Sequence, residues 1–381
     1  MKRLKVGIIS VGHSANVGDG LIASMIKSTL DGLDDNFFVD VSFFDIDFGE
    51  YDISESIIFD DTKKSISDFK NRFYLPRAIK NTIKNLTDKK YKNKALKFIQ
   101  NQDVIIVGGG HLLIDNYAHF LSKIYVINEL CKKNNINLFY WCVGVSERFS
   151  PISKVLLSKA TNNRKVYTRD SNSLSHLKYQ LGDNIKAKCI ADPAIFCGDF
   201  YATEIKKNSI AIGIMDPSEM RRHSKYEISR EDFSRKYIKL LNNIPKEYEV
   251  KVFCNGNIND FLFIEKFILP SVRRDNVNFM TRPESYNDLI EILSDCEYVF
   301  AQRLHAVLPS ISLGKKVVAL KWDSKLESII SDLDLRKILY EPSFDENIVN
   351  DIINSEKISL STLVVSKDKY INELRKLLEE L

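Results

Sequence analysis

The stretch EYVFAQRLHAVLPSISLGKKVVAL, from Glu297 to Leu320, sets an arginine and a histidine two residues apart, Arg303 and His305. They stand where an apolar strand-like run (Glu297 to Ala301) gives way to a helical pattern. Open α/β sheets carry their ligands at the carboxyl ends of strands. An arginine there can grip a carboxylate or phosphate through its planar fork, and a histidine can move a proton near neutral pH. An anionic substrate whose chemistry uses acid catalysis fits such a pair. The plainer reading is a helix-start arginine beside a histidine satisfied within the core.

Four further loops place polar groups or glycines after strand-like runs. In VGHSANVGDG (Val11 to Gly20), Gly12, Gly18 and Gly20 let the backbone turn, and the amino end of the following helix offers N–H groups to an anion. Asn16 and Asp19 either bind hydroxyls or cap that helix. The loop matches neither the dinucleotide fingerprint nor the P-loop. VGGGH (Val107 to His111) reads as a strand-to-helix turn whose three glycines, Gly109 and Gly110 included, admit a ligand closely. His111 faces that ligand or satisfies backbone carbonyls. At Val166 to Gly182, Arg169 either closes a helix start with Asp170 or holds the same anion as Arg303, and Ser171 or Ser173 is the expected cap. Asp192, before Pro193, is a turn residue or lines a cleft. Lys325, in Lys321-Trp-Asp-Ser-Lys325, neutralises a phosphate or is simply solvated.

The elements that must position these residues alternate. Strands are expected at Lys5–Ser10, Asn36–Phe44, Val104–Val107, Ile136–Cys142, Val166–Thr168 and Lys188–Ile190, then at Ser209–Met215, Tyr248–Cys254, Val277–Met280, Tyr298–Ala301 and Lys316–Lys321. Helical patterns at Leu21–Leu30, Tyr117–Lys133, Pro151–Ala160 and Ser171–Leu181 separate those of the first half. Buried, non-alternating strands in β-α-β rhythm imply parallel sheets covered by helices. The expectation is an α/β protein of two Rossmann-like domains, residues 1–200 and 208–340, joined near Gly198–Asn208. A less regular, helical insertion is expected at 49–97, and C-terminal helices (341–381) are expected to pack back across the boundary. A cleft between two such domains is the expected ligand site.

Bulk properties narrow the class. The 381 residues are 44% hydrophobic and 28% charged, and the net charge of +4 is too small for wholesale nucleic-acid binding. No apolar run approaches the roughly 20 residues that span a bilayer. The opening MKRLKVGIIS has an apolar stretch of only Val6 to Ile9, so it reads as a core strand instead of a signal peptide. Six cysteines with no CxxC pair and no metal-ligand spacing read as buried thiols in a reducing cytosol. Arg77–Lys97 carries eight basic residues against one acid, Asp88. That is either a solvated helix face or a patch meeting anionic lipid head groups or a lipid-diphosphate acceptor, which would bring a cytoplasmic protein to the inner face of the membrane.

In their order and spacing, these loops resemble the polysaccharide pyruvyl transferase family. Asn16-Val-Gly-Asp19 is similar to its early N-x-G-D element, and Val107-Gly-Gly-Gly110 to its glycine run. Val166–Gly182 is similar to its R-D-x-x-S…L…G stretch, and Ala191-Asp-Pro193 to its A-D-P turn. Arg303-Leu-His305-Ala306, Gly314 and Asp323-Ser-Lys325 resemble its closing R-L-H-A…G…D-x-K pattern. Three departures stand out. Trp141-Cys-Val-Gly-Val-Ser146 replaces a Gly-Gln-Gly-like turn, Lys315 or Lys316 a usual proline, and Lys321-Trp322 a frequent tyrosine.

The resemblance implies two domains in a GT-B-like arrangement, with phosphoenolpyruvate as donor and a sugar diol, free or lipid-linked, as acceptor. Arg169 and Arg303, with Leu304, Gly109, Gly110 and Lys325, would form the donor surface. His305 would transfer a proton, with Asp19 or Asp192 as base, while Asn16 and His111 face the acceptor. Neither metal nor redox cofactor is implied. The rival readings are a GT-B glycosyltransferase using a nucleotide sugar and a non-catalytic protein that binds a glycan or phosphometabolite.

Overall fold

Runs rich in Val, Ile and Phe lack the alternation of a half-solvated strand, so their strands can be stable only with both faces covered. The computed structural model, which describes residues 2–14, 16–33, 37–53, 74–223 and 226–381, shows them in two mostly parallel sheets. The chain divides into two compact units. One comprises Met1–Ser14, Ile22–Pro193 and Asp368–Leu381, the other Ala15–Leu21 and Ala194–Lys367.

The first unit holds β1 (Lys2–Ser10), β2 (Phe37–Asp45), β3 (Gly49–Tyr51), β4 (Val104–Leu113), β5 (Asn137–Val145), β6 (Val166–Thr168) and β7 (Ala187–Cys189). The sheet order is β3-β2-β1-β4-β5-β6-β7, parallel except for β3, which pairs antiparallel with β2. Its helices are α1 (Val17–Asp31), whose first turn belongs to the other unit, α2 (Tyr74–Thr87), α3 (Lys89–Gln100), α4 (His119–Lys133), α5 (Pro151–Thr161) and α6 (Ser171–Leu181). Ile9, Phe44, Phe98, Ile105, Val107, Leu121, Ile124 and Tyr140 form the centre of its core.

The second unit begins with the short helix α7 (Cys197–Phe200). It continues β8 (Ser209–Gly213), α8 (Pro217–His223), α9 (Arg230–Asn243), β9 (Glu249–Phe253), α10 (Ile258–Phe263), β10 (Val277–Phe279) and α11 (Tyr286–Ser294). Then come β11 (Tyr298–Ala301), α12 (Leu304–Ser312), β12 (Lys316–Leu320), α13 (Ser324–Asp332), β13 (Leu339–Tyr340), α14 (Ile348–Ile353) and α15 (Ser361–Glu379). The order β10-β9-β8-β11-β12-β13, parallel throughout, is that of a Rossmann sheet. Residues of α15 from Asp368 onward belong to the first unit, where Tyr370 is fully buried edge-on to Trp141 (ring centroids 5.1 Å apart).

The strands at Val166–Thr168 and Tyr298–Ala301 lie where the sequence places them. Asn36 and residues 54–73 of the expected insertion lie outside the described residues; the remainder of 49–97 forms β3, α2 and most of α3. The glycine run is not the strand-to-helix turn expected: Gly108, Gly109 and Gly110 sit inside β4, which continues to Leu113. The strand survives because Gly109 and Gly110 take φ of +76° and +119°, and the register against β5 slips between Gly110 and Leu113. Glycine tolerates that backbone region, and a slip of this kind re-aims the residues that follow.

Gly108 is required for a different reason. A Cβ there would collide with the backbone carbonyl oxygen of Trp141 on β5 and come within 3.2 Å of its carbon. Backbone of a central strand cannot yield as a flexible side chain can. Gly108→Ala should therefore cost about 1–3 kcal/mol, checked as a lower urea midpoint with an unchanged slope.

Candidate functional site

In each sheet the chain direction of strand addition reverses at one pair of neighbours, β1/β4 in the first unit and β8/β11 in the second. That switch point is where the loops part and a ligand can enter. Arg303 and His305 leave β11 there. Gln302, buried, accepts from the Met215 N–H after β8 (3.1 Å) and from the Tyr237 hydroxyl (3.1 Å), which ties the two loops together.

Arg303 is the N-cap residue of α12 and offers no capping oxygen. His305 departs from helical geometry (φ −86°, ψ 17°) within the first turn, and its side chain is buried. The first turn of α1 packs directly on it: a Cβ at Gly18 would lie 2.5 Å from His305 Cβ and 2.6 Å from Cγ. Val17 N–H donates to the Asn255 carbonyl (3.2 Å), holding that turn against the loop after β9. Asn16 accepts the Asp19 N–H on its carbonyl (3.1 Å) and, at 3.4 Å, the Gly18 N–H on its side chain, so it caps α1. Asn16, Asp19 and His305 thus belong to one unit, although about three quarters of the chain separates them in sequence. The Asn255 side-chain nitrogen is buried with no hydrogen-bond acceptor among the described residues.

The guanidinium of Arg303 is already held. Its Nε and Nη2 both donate to Asp260 Oδ2 (3.0 and 2.7 Å), and Oδ1 of this fully buried acid accepts the Asp216 N–H (2.9 Å). Burial pushes the Asp260 carboxyl above its usual range, and the charge of Arg303 only partly opposes that. Asp216 in turn receives Arg230 Nε (3.0 and 3.1 Å). Arg303 also lies over the Trp322 ring at 5.6 Å, and Lys325 over the same ring at 5.9 Å. Lys325 pairs with Asp323 (3.3 Å), which caps α13 by accepting the Leu326 N–H (2.9 Å). Two cations and an imidazole therefore share one edge of this sheet. The role of Asp260 escaped the sequence, because an acid in the first turn of a helix (NINDF) is ordinarily just a dipole partner.

The first unit presents a separate cluster. Arg169 follows β6 and donates from Nη1 to Asp192 (3.3 Å), both side chains being buried. Its Nε is buried without an acceptor among the described residues. A Cβ at Gly144 on β5 would sit 3.3 Å from that Nε and collide with the His111 ring, so the bare backbone there makes room for both side chains. The partner of Arg169 is therefore Asp192 and not Asp170. Asp170, and neither Ser171 nor Ser173, caps α6: it accepts the Ser173 N–H (2.8 Å) and hydroxyl (2.7 Å). Ser173 also accepts the Val145 N–H (3.1 Å), pinning α6 to the end of β5. Cys142, at φ +53°, supplies the extra residue by which β5 bulges against β6.

A third group, not expected from sequence, surrounds the ends of β1 and β2. Buried Asp45 accepts the N–H groups of His13 (2.9 Å), Asp47 (2.7 Å) and Phe48 (3.0 Å). Asp47 binds His119 and Lys123, each at 2.7 Å; although burial works against it, these partners hold its carboxyl down at about 2. No cluster of three or more His, Cys, Asp or Glu able to hold a metal occurs among the described residues. The six cysteines are free thiols.

Among solved structures, the chain is similar to the S. aureus MnaA–UDP co-structure (11% identity, TM-score 0.54) and to a glycosyltransferase from Rickettsia africae ESF-5 (13% identity, TM-score 0.52). Each alignment covers 100% of this chain and 98% of the other. No curated protein sequence matches it. The fold is thus α/β, two Rossmann-like units with parallel sheets, of the GT-B-like class. The polysaccharide pyruvyl transferase model matches residues 16–324, from the cap of α1 through the start of α13, and the chain belongs to that family of transferases.

If Asp260 serves to hold a charged Arg303, Asp260→Ala leaves that guanidinium without its counter-ion. Unfolding free energy should fall by about 3 kcal/mol, and Asp260→Ala/Arg303→Met should recover most of the loss in the same urea titration.

Proposed function

We propose that this protein transfers pyruvate from phosphoenolpyruvate to two hydroxyls of a sugar in a surface glycan or its lipid-linked precursor, forming a pyruvate ketal. The observation that carries the proposal is the grouping in the second unit: Arg303 and Lys325 over one indole, with His305 packed beneath Gly18. Phosphoenolpyruvate carries a carboxylate and a phosphate, which charge-assisted contacts from two cations suit. Arg169, with its unanswered Nε, is proposed as a further anion-holding guanidinium in the first unit. Gly109, Gly110 and Leu304 complete the proposed donor set, and Asn16 and His111 are proposed for the acceptor.

A proton delivered to the methylene carbon leaves positive charge on the adjacent enol carbon. One sugar hydroxyl adds there and gives up its proton. The second hydroxyl then displaces phosphate and gives up its own. The overall exchange joins one pyruvate to the diol, frees one phosphate, and changes no oxidation state, so the donor is a substrate and no redox cofactor is called for. His305 is proposed as the proton-transfer group, with Asp19, next in sequence to the Gly18 that packs on it, as the base. Asp192, held by Arg169, is the lesser candidate for that role.

Incubation with phosphoenolpyruvate and lipid-linked or nitrophenyl glycosides should raise acceptor mass by one pyruvate less one water, with one phosphate released. Supplying a UDP-sugar instead should give no transfer; transfer from it alone would make the protein a nucleotide-sugar glycosyltransferase. His305→Ala should abolish turnover yet keep measurable donor binding, and undiminished turnover would remove His305 from the mechanism.

Lys325→Ala tests the anion site directly: the lysine is partly solvated, and buried Asp323, though it loses this cation, keeps the Leu326 N–H as a partner. Donor affinity in a calorimetric titration should fall by about tenfold, an effect that added salt reduces.

A further inference from the structure

Helix α2 is amphipathic the wrong way round for a helix that packs on a core. The face it turns inward is mostly small or polar, with Leu86 near its end as the aliphatic residue packed against the core. Ala78 is buried, Asn81 donates to the Tyr117 carbonyl (3.1 Å), and buried Asn85 donates to Ser122 Oγ (2.8 Å) and the His119 carbonyl (3.2 Å). Arg77 stacks on Tyr117 at 4.4 Å. The aliphatic residues instead face out: Leu75, Ile79 and Ile83 are 52%, 42% and 58% exposed. Their i, i+4, i+8 spacing makes them one stripe along the helix.

Lysines border that stripe. Lys80 and Lys84 are exposed on α2 itself, and Lys89, Lys90, Lys94 and Lys97 are exposed on α3, which follows after Asp88. Within residues 77–97 there is one acid against eight bases. A solvated basic helix has no use for three outward aliphatics in register, and packing among the described residues leaves them outward, α2 being seated through Ala78, Leu86 and its asparagines. No helix among the described residues is long and apolar enough to cross a membrane.

From this we infer that α2 and α3 form a docking surface for a phospholipid bilayer rich in anionic head groups. The Leu75–Ile79–Ile83 stripe would enter the head-group boundary while the lysines meet lipid phosphates. An apolar stripe alone would fit many partners. Its basic border selects a flat, negatively charged, apolar-centred surface, which is the chemistry of such a membrane. None of its residues is assigned to catalysis, so the inference does not depend on the transfer reaction.

The test is co-sedimentation of the full chain with phosphatidylcholine vesicles, with and without phosphatidylglycerol, in the absence of any donor. Binding should require phosphatidylglycerol and weaken as salt rises. Lys80→Gln/Lys84→Gln should bind about 25-fold more weakly, taking the usual contribution of a lysine near an anionic surface. Ile79→Ser/Ile83→Ser should lose about tenfold or more. Both pairs are exposed, so the melting temperature should stay at the parent value, which separates lost docking from lost folding. Equal binding to vesicles with and without phosphatidylglycerol, no binding to either, or parent-level binding by both variants would overturn the inference. None of these results bears on whether phosphoenolpyruvate is the donor.

Discussion

The imidazole of His305 occupies the space in which a side chain on residue 18 would begin, and the first turn of α1 rests on it as a consequence. Any L-residue with a Cβ at that position would drive the two apart. The contact fastens the Asn16–Asp19 turn to the edge of the second sheet, reinforced by the Val17–Asn255 backbone hydrogen bond. It also explains why α12 starts irregularly: His305 leaves helical geometry while the residues after it, through Pro309, remain buried. A side chain confined in this way holds one orientation before any ligand binds.

The arginines obey a related constraint. A guanidinium removed from water needs a counter-ion, and both Arg303 and Arg169 have a buried aspartate from their own unit. Neither pair needs to be a strong net stabiliser, since desolvation opposes the attraction. Each does hold a planar fork in place. Asp260 engages Nε and Nη2 of Arg303, and Asp192 engages Nη1 of Arg169 and leaves its Nε unanswered. Cations fixed this way are already oriented and need no reorganisation.

Helix α2 shows the same economy on the surface. Two asparagines, Ala78, Leu86 and a stacked arginine seat it, and its aliphatic stripe stays outward. The eight basic residues of 77–97 were legible in the sequence as charge, but not the direction in which Leu75, Ile79 and Ile83 point.

Most of the secondary structure was written locally. Buried Val- and Ile-rich runs identified the parallel strands, and the periodicity of Ser171–Leu181 gave that helix to the residue, because short-range sterics and burial determine both. The motif residues also stood out by type, and their family with them. Local sequence misjudged the glycine run, which is strand and not turn, since only contact with the Trp141 carbonyl shows why glycine is needed there. The sequence also could not reveal that Asp260 holds Arg303, that Asp192 holds Arg169, or that Trp322 gathers two cations. Arg169 and Asp192 are 23 residues apart and Arg303 and Asp260 are 43 apart, and only the order in which strands join a sheet decides which loop ends meet. Residue chemistry belongs to the sequence by itself; which charges face each other, and which glycine lies over His305, was decided by tertiary packing.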